Sequence, residues 1–175
     1  MTPPRFLAST ACLLVAVSDL SRFRAVVGLQ AGGSALHPAT CITASLSVRT
    51  WRSLIEATTR KGNVPPRHVH HREEETFYVL EGEMTVSVGD RTIKAVPGTM
   101  VCLPRDVEHS FEIESEQLRM LALLTPAGLE GWFREFSVAA PDMTLPPAGE
   151  VPYSEIQRML EVGPQYGLEY LLPKT

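Results

Sequence analysis

The sequence predicts a mainly β domain, a barrel or sandwich of short antiparallel strands, followed by a helical C-terminal third. Three observations carry this prediction. Between residues 41 and 125, short stretches alternate apolar and polar residues with period two and are cut by turn signals, the pattern of many half-buried strands. Beyond residue 125, Leu129, Trp132, Phe133 and Phe136 recur at helical spacing instead, giving one apolar face. The 14 prolines and 12 glycines are spread along the chain, as expected where turns join short strands.

Taken in order, residues 1–17 place a single positive charge, Arg5, before an apolar stretch. That resembles a weak secretory leader, but the sparse charge and missing small-x-small cleavage site favour a leading strand, short helix or extension. Residues 28–40 read as a linker. The expected organisation is therefore an N-terminal extension, extra strand or lid (1–40), a β-barrel core (41–125) and a helical segment packing on it (126–175). Within the core, strands are expected at 45–51 and 53–59, before the turn Lys61-Gly62-Asn63. Residues 75–80 and 84–88 flank Glu81-Gly82-Glu83, and Gly89-Asp90 joins 84–88 to 92–96 as a two-residue hairpin. Pro97-Gly98 precedes a strand at 100–103, and a turn at 104–106 precedes one at 109–113. Residues 118–124 close the series.

In the last third, Thr125-Pro126 reads as an N-cap followed by proline at the first helical position. A proline-rich connector spans 141–152. Ser154-Glu155-Ile156-Gln157 fits a capping box, and Gly163-Pro164 marks the stop. Residues 168–172 read as a strand or an extended segment against the barrel.

Composition narrows the partners. The 175 residues suit one domain, and 44% hydrophobic with 21% charged residues excludes a disordered or collagen-like chain. A net charge of −4 leaves no basic excess for a nucleic-acid backbone. The longest apolar run, 11–17, is far below the ~20 residues of a membrane span. Cys12, Cys41 and Cys102 are odd in number and form no CxxC pair, so neither a disulfide framework nor a thiolate zinc site is expected, and a reduced, cytoplasmic setting is the default.

The chemistry is carried by histidines and one carboxylate. His68 and His70 are separated by one residue, so a strand would point both to one face. A short polar turn then brings Glu75 round, and His109 arrives on a later strand. Three imidazoles and a carboxylate are standard ligands for a divalent transition metal, here Fe, Mn, Ni, Co, Cu or Zn. Such a set leaves positions open for water or substrate. Phe77 and Val79 share parity with Glu75 and are expected, with Met84, Val86, Phe111 and Ile113, to line a cavity that is also the core.

The spacings are specific. Gly62-x5-His68-x-His70-x4-Glu75-x6-Gly82 resembles the first motif of the cupin superfamily at every fixed position. Gly98-x5-Pro104 followed by His109 resembles the second, with Asp106 in place of the usual glycine and Ile113 in place of the usual asparagine. The stretches 68–82 and 125–135 further resemble bacterial single-domain cupins related to flavonol (quercetin-type) dioxygenases. The resemblance implies a double-stranded β-helix or jelly-roll barrel, commonly a homodimer. It also implies that Glu75 could both ligate the metal and take a proton from a small-molecule substrate; O2 would be the co-substrate if the protein is an oxygenase.

Other residues are assigned blander roles. His71 should face solvent, away from its neighbours, and Glu73 and Glu74 should form a solvated acidic patch, with the alternative that either one supports a metal ligand from behind. Cys102 is expected to be buried and inert, and Trp132, Phe133 and Phe136 to pack a helix on the barrel or a dimer partner. His37 sits in the linker with no expected role. Three functions are compatible with these features: a metal-dependent oxygenase, a non-redox metal enzyme (isomerase, cyclase, decarboxylase or hydrolase), or a ligand-binding module with a structural metal.

Overall fold

The period-two stretches fold as strands because their alternation gives each an apolar face to bury and a polar face to leave wet. A computed structural model describes residues 25–27, 40–48, 52–62, 65–135, 145 and 153–171. The leader-like stretch 1–17, His37 and Phe136 lie outside the described residues. In chain order the strands are β1 (Ala25–Val27), β2 (Thr40–Val48), β3 (Arg52–Arg60), β4 (His68–His70), β5 (Glu74–Glu81) and β6 (Met84–Val88). They continue as β7 (Arg91–Ala95), β8 (Met100–Leu103), β9 (His109–Ile113), β10 (Gln117–Thr125) and β11 (Leu168–Tyr170). Helices α1 (Glu130–Glu135) and α2 (Tyr153–Val162), then a 3-10 turn Gly163–Tyr166, lie between β10 and β11.

Two antiparallel sheets result, one ordered β1-β2-β3-β10-β5-β8 and the other β11-β4-β9-β6-β7. From β3 onward the chain passes back and forth between them, with β6 and β7 the one consecutive pair in a single sheet. This is the jelly-roll solution, two sheets face to face, rather than one continuously hydrogen-bonded cylinder. The inner faces carry the core. β3 turns Ile55 and Ala57 inward, β5 Phe77 and Val79, β6 Met84 and Val86, β9 Phe111 and Ile113, and β10 Leu118, Met120, Ala122 and Leu124. Phe77 and Phe111 meet across the two sheets, edge to face with ring centroids 5.4 Å apart.

Turn chemistry holds the strands in register. Gly89, with φ +54°, makes the expected two-residue hairpin between β6 and β7. Gly82 leaves β5 with φ +84°, and a Cβ there would stand 2.3 Å from the Gln117 carbonyl oxygen. No other residue fits.

Three expectations are corrected. The helix does not begin at Pro126: Thr125 ends β10, the Thr125–Pro126 bond is cis, and α1 begins at Glu130. The Glu130 carboxylate accepts a hydrogen bond from the Gly128 backbone N–H at 2.7 Å, so an acidic side chain closes the first turn. Leu129 is nevertheless buried, and Trp132 and Phe133 pack against the core as expected. Cys102 is exposed, not buried, because β8 turns Val101 and Leu103 inward and Cys102 outward. Glu73 is 2% exposed rather than solvated. At the far end, β11 takes the edge beside β4, pairing Leu168 with His70 and Tyr170 with His68. Among the described residues no helix is long and apolar enough to cross a membrane.

Candidate metal centre

The β4–β9 pairing builds the site. His68 and His109 are direct cross-strand partners, and their rings meet edge to face with centroids 4.4 Å apart. His70, two residues along β4, stacks on His109 at 5.1 Å. All three imidazoles belong to the five-stranded sheet. Glu75 comes from the other sheet, because residues 71–73 carry the chain across before β5 begins. Its Oε2 lies 3.7 Å from both His70 Nε2 and His109 Nε2. One ligand atom from each of His68, His70, Glu75 and His109 can be chosen so that all four lie within 4.8 Å of one another, and all four residues are buried.

Backbone contacts orient two of the rings. The Nδ1–H groups of His68 and His109 donate to the carbonyls of Pro66 at 2.8 Å and Val107 at 3.1 Å. Each ring therefore presents an unprotonated Nε2 to the interior. Burial, reinforced by the neighbouring imidazoles, pushes the His68 pKa down to about 3. Burial likewise lowers His109 to about 4, and it raises the Glu75 carboxyl against the opposing pull of His70. The result is neutral nitrogen donors beside a carboxylate that burial deprives of solvation. His109 Nε2 has no hydrogen-bond partner among the described residues. A buried lone pair of this kind is costly unless something accepts it, and a divalent cation does so. The donor set, three imidazole nitrogens and one carboxylate oxygen, fits a divalent transition metal without selecting one.

Around this cluster the structure distributes the other residues. Phe77 follows Glu75 by two positions and Phe111 follows His109 by two, so the aromatic pair continues the two ligand-bearing faces. Val79, Met84, Val86 and Ile113 are also in the packed interior. His71 faces solvent as expected, yet both ring nitrogens are engaged, Nδ1 with Asp106 at 2.7 Å and Nε2 with Glu169 at 2.9 Å. These bonds, Asp106 first, raise its pKa. Asp106 itself adopts φ +63° where the motif has glycine. Aspartate tolerates this left-handed conformation better than most residues, and its backbone N–H donates to the His70 carbonyl at 2.9 Å, so the turn survives. Ile113 sits opposite Met84 in an apolar register where asparagine is usual.

Two more residues stand near the ligands: Glu73, for which a place behind a ligand was only the alternative expectation, and Tyr170, which the sequence reading missed. Glu73 places Oε2 3.9 Å from His70 Nδ1; its shared parity with Glu75 was the available signal. Tyr170 brings its ring centroid within 6.0 Å of His68, and burial raises its phenol pKa. Nothing local marks Tyr170, whose position depends on β11 pairing with β4. Tyr170 also lines a cavity of about 490 Å³ beside β11, together with His71, Leu160, Pro164 and Leu168.

Residues 56–124 match the cupin domain family. A stretch of 74 residues is 35% identical to quercetin 2,3-dioxygenase of Bacillus subtilis (strain 168), covering 42% of this chain and 22% of that protein. Another of 56 residues is 34% identical to an uncharacterized protein of Streptomyces coelicolor, covering 32% of this chain and 53% of that one. These matches thus span about a fifth and about half of the relatives' lengths. Among solved structures, KdgF from Halomonas sp. is similar with a TM-score of 0.47 at 18% identity, over 53% of this chain and 82% of that one. The span that matches the cupin domain family, residues 56–124, contains all four clustered side chains.

Proposed function

We propose that the protein is a metal-dependent oxygenase acting on a small hydrophobic substrate of aromatic or enolic character, a quercetinase-like dioxygenase. The observation that carries the proposal is a buried carboxylate, Glu75, clustered with three buried imidazoles and bordered by the Phe77–Phe111 pair. His68, His70, Glu75 and His109 would hold one divalent ion, Fe, Mn, Ni, Co, Cu or Zn. Such an ion, when bound, supplies Lewis acidity and, for a redox metal, oxygen chemistry. Glu75, its proton affinity raised by burial, accepts the proton of an enol or phenol. Phe77 and Phe111, with Val79, Met84, Val86 and Ile113, orient an apolar substrate and exclude water. The similarity of 74 residues to a quercetin 2,3-dioxygenase supports the same direction. A cytoplasmic homodimer using O2 completes the proposal.

The test is oxygen uptake by protein loaded with each metal in turn, over a panel of flavonols, phenols and diketones. Uptake with a redox metal, lost in Glu75→Gln, is expected. Absence of uptake across the panel overturns the oxygenase. Turnover supported by Zn without O2 replaces it with a non-redox isomerase, cyclase, decarboxylase or hydrolase.

A further inference from the structure

Glu73 is buried beside the ligand cluster, and none of the proposed chemistry uses it. Its side chain is 3% exposed, as is that of His70. Glu73 Oε2 and His70 Nδ1 face each other at 3.9 Å, too far for a hydrogen bond. Neither atom has another hydrogen-bond partner among the described residues. Two buried, complementary and unsatisfied atoms facing each other are unusual, since each carries a desolvation cost that a bond between them would remove.

The other two imidazoles show what His70 lacks. His68 and His109 each anchor Nδ1–H on a backbone carbonyl two residues before them. His70 has no such carbonyl, and the acceptor at its Nδ1 is the Glu73 carboxylate. The loop after β10 closes over that carboxylate: a Cβ at Gly128 would stand 3.5 Å from Glu73 Oε1.

We infer that Glu73 is the positioning residue of His70: when His70 Nε2 ligates a cation, Nδ1–H donates to Glu73 Oε2 and fixes the ring's tautomer and plane. A carboxylate behind a ligating imidazole also strengthens the imidazole as a donor. This inference rests on the metal-binding reading above.

The experiment measures zinc affinity, by competition with a chromophoric chelator, in the full chain and in Glu73→Met and Glu73→Gln. Methionine fills similar space without an acceptor, whereas glutamine keeps an acceptor oxygen. The expected result is affinity about 10–100-fold weaker in Glu73→Met, the usual cost of removing an outer partner, with most of it restored in Glu73→Gln. In parallel, long-range 1H–15N correlation spectra of the zinc-loaded wild type should show His70 protonated at Nδ1 and metal-bound at Nε2. Unchanged affinity in Glu73→Met, equal loss in both variants, or His70 ligating through Nδ1 overturns the inference while leaving the metal site standing. A wild-type protein that binds no zinc or other divalent transition metal overturns the metal-binding reading, and the role of Glu73 with it.

Discussion

His68 and His109 are cross-strand partners whose rings touch edge to face at 4.4 Å, although 40 residues separate them in the chain. This one pairing joins the two halves of the ligand set, because β4 supplies His68 with His70 and β9 supplies the third imidazole. Its consequence is that groups far apart in sequence meet in one buried cluster that could hold a cation.

His68→Ala and His109→Ala should therefore each abolish stoichiometric metal in protein as purified. The expected loss of affinity exceeds the about 10–100-fold typical of an outer-shell change. Elemental analysis checks it, with His71→Ala as a control that keeps its metal. Equal metal content in all three variants would remove these imidazoles from the site.

Acidification of the metal-free protein should be destabilising in a defined window. His68 and His109 have folded pKa values lowered to about 3 and about 4, from an ordinary 6.5. As pH falls below 6.5 the unfolded chain takes up these protons first, so stability is complete above that point and is lost down to the folded values. The slope is at most about 1.4 kcal/mol per pH unit for each histidine. Glu75 acts in the opposite sense, since its raised pKa removes stability as pH climbs from 4.5. Urea midpoints against pH, measured in chelator, should fall between pH 6.5 and 4, and less steeply in His68→Ala. A flat profile would mean that these rings protonate as readily folded as unfolded.

Asp106 should tolerate glycine but not a β-branched residue. Its φ of +63° costs an ordinary side chain about 1–2 kcal/mol. Asp106→Val should lower stability by about that amount or more in urea unfolding, while Asp106→Gly stays near wild type. In both, the His71 pKa should drop, since Asp106 is the main cause of its elevation. An NMR titration of His71 reads the second effect independently of the first.

Phe111→Ala should cost about 3–5 kcal/mol, the range for emptying a buried aromatic site. Phe77 lies on the opposing sheet, so a double-mutant cycle between them should reveal a coupling of about 0.5–1.5 kcal/mol. Zero coupling would mean that the sheets do not meet at this pair.

The sequence by itself determined the β architecture and the donor set. Parity along 75–80 states that Phe77 and Val79 face inward with Glu75, because a strand's side chains have a strict period of two. The spacing of His68, His70, Glu75 and His109 named the cluster that the fold brings together. Local pattern was less informative where a residue's environment comes from distant chain. Glu73 reads as a charge in a polar turn, yet the fold buries it, with Gly128 of the loop after β10 beside its carboxylate. Cys102 was assigned the wrong face because Met100-Val101-Cys102-Leu103 is apolar throughout, so polarity does not mark which pair β8 turns inward. Tyr170 nears His68 because β11 returns to pair with β4 from a hundred residues away, and Glu75 opposes the imidazoles because the chain changes sheets between residues 70 and 75. Parity is a local property of the backbone and can be read from a string; which sheet a strand joins, and what then covers a charge, is decided by long-range pairing.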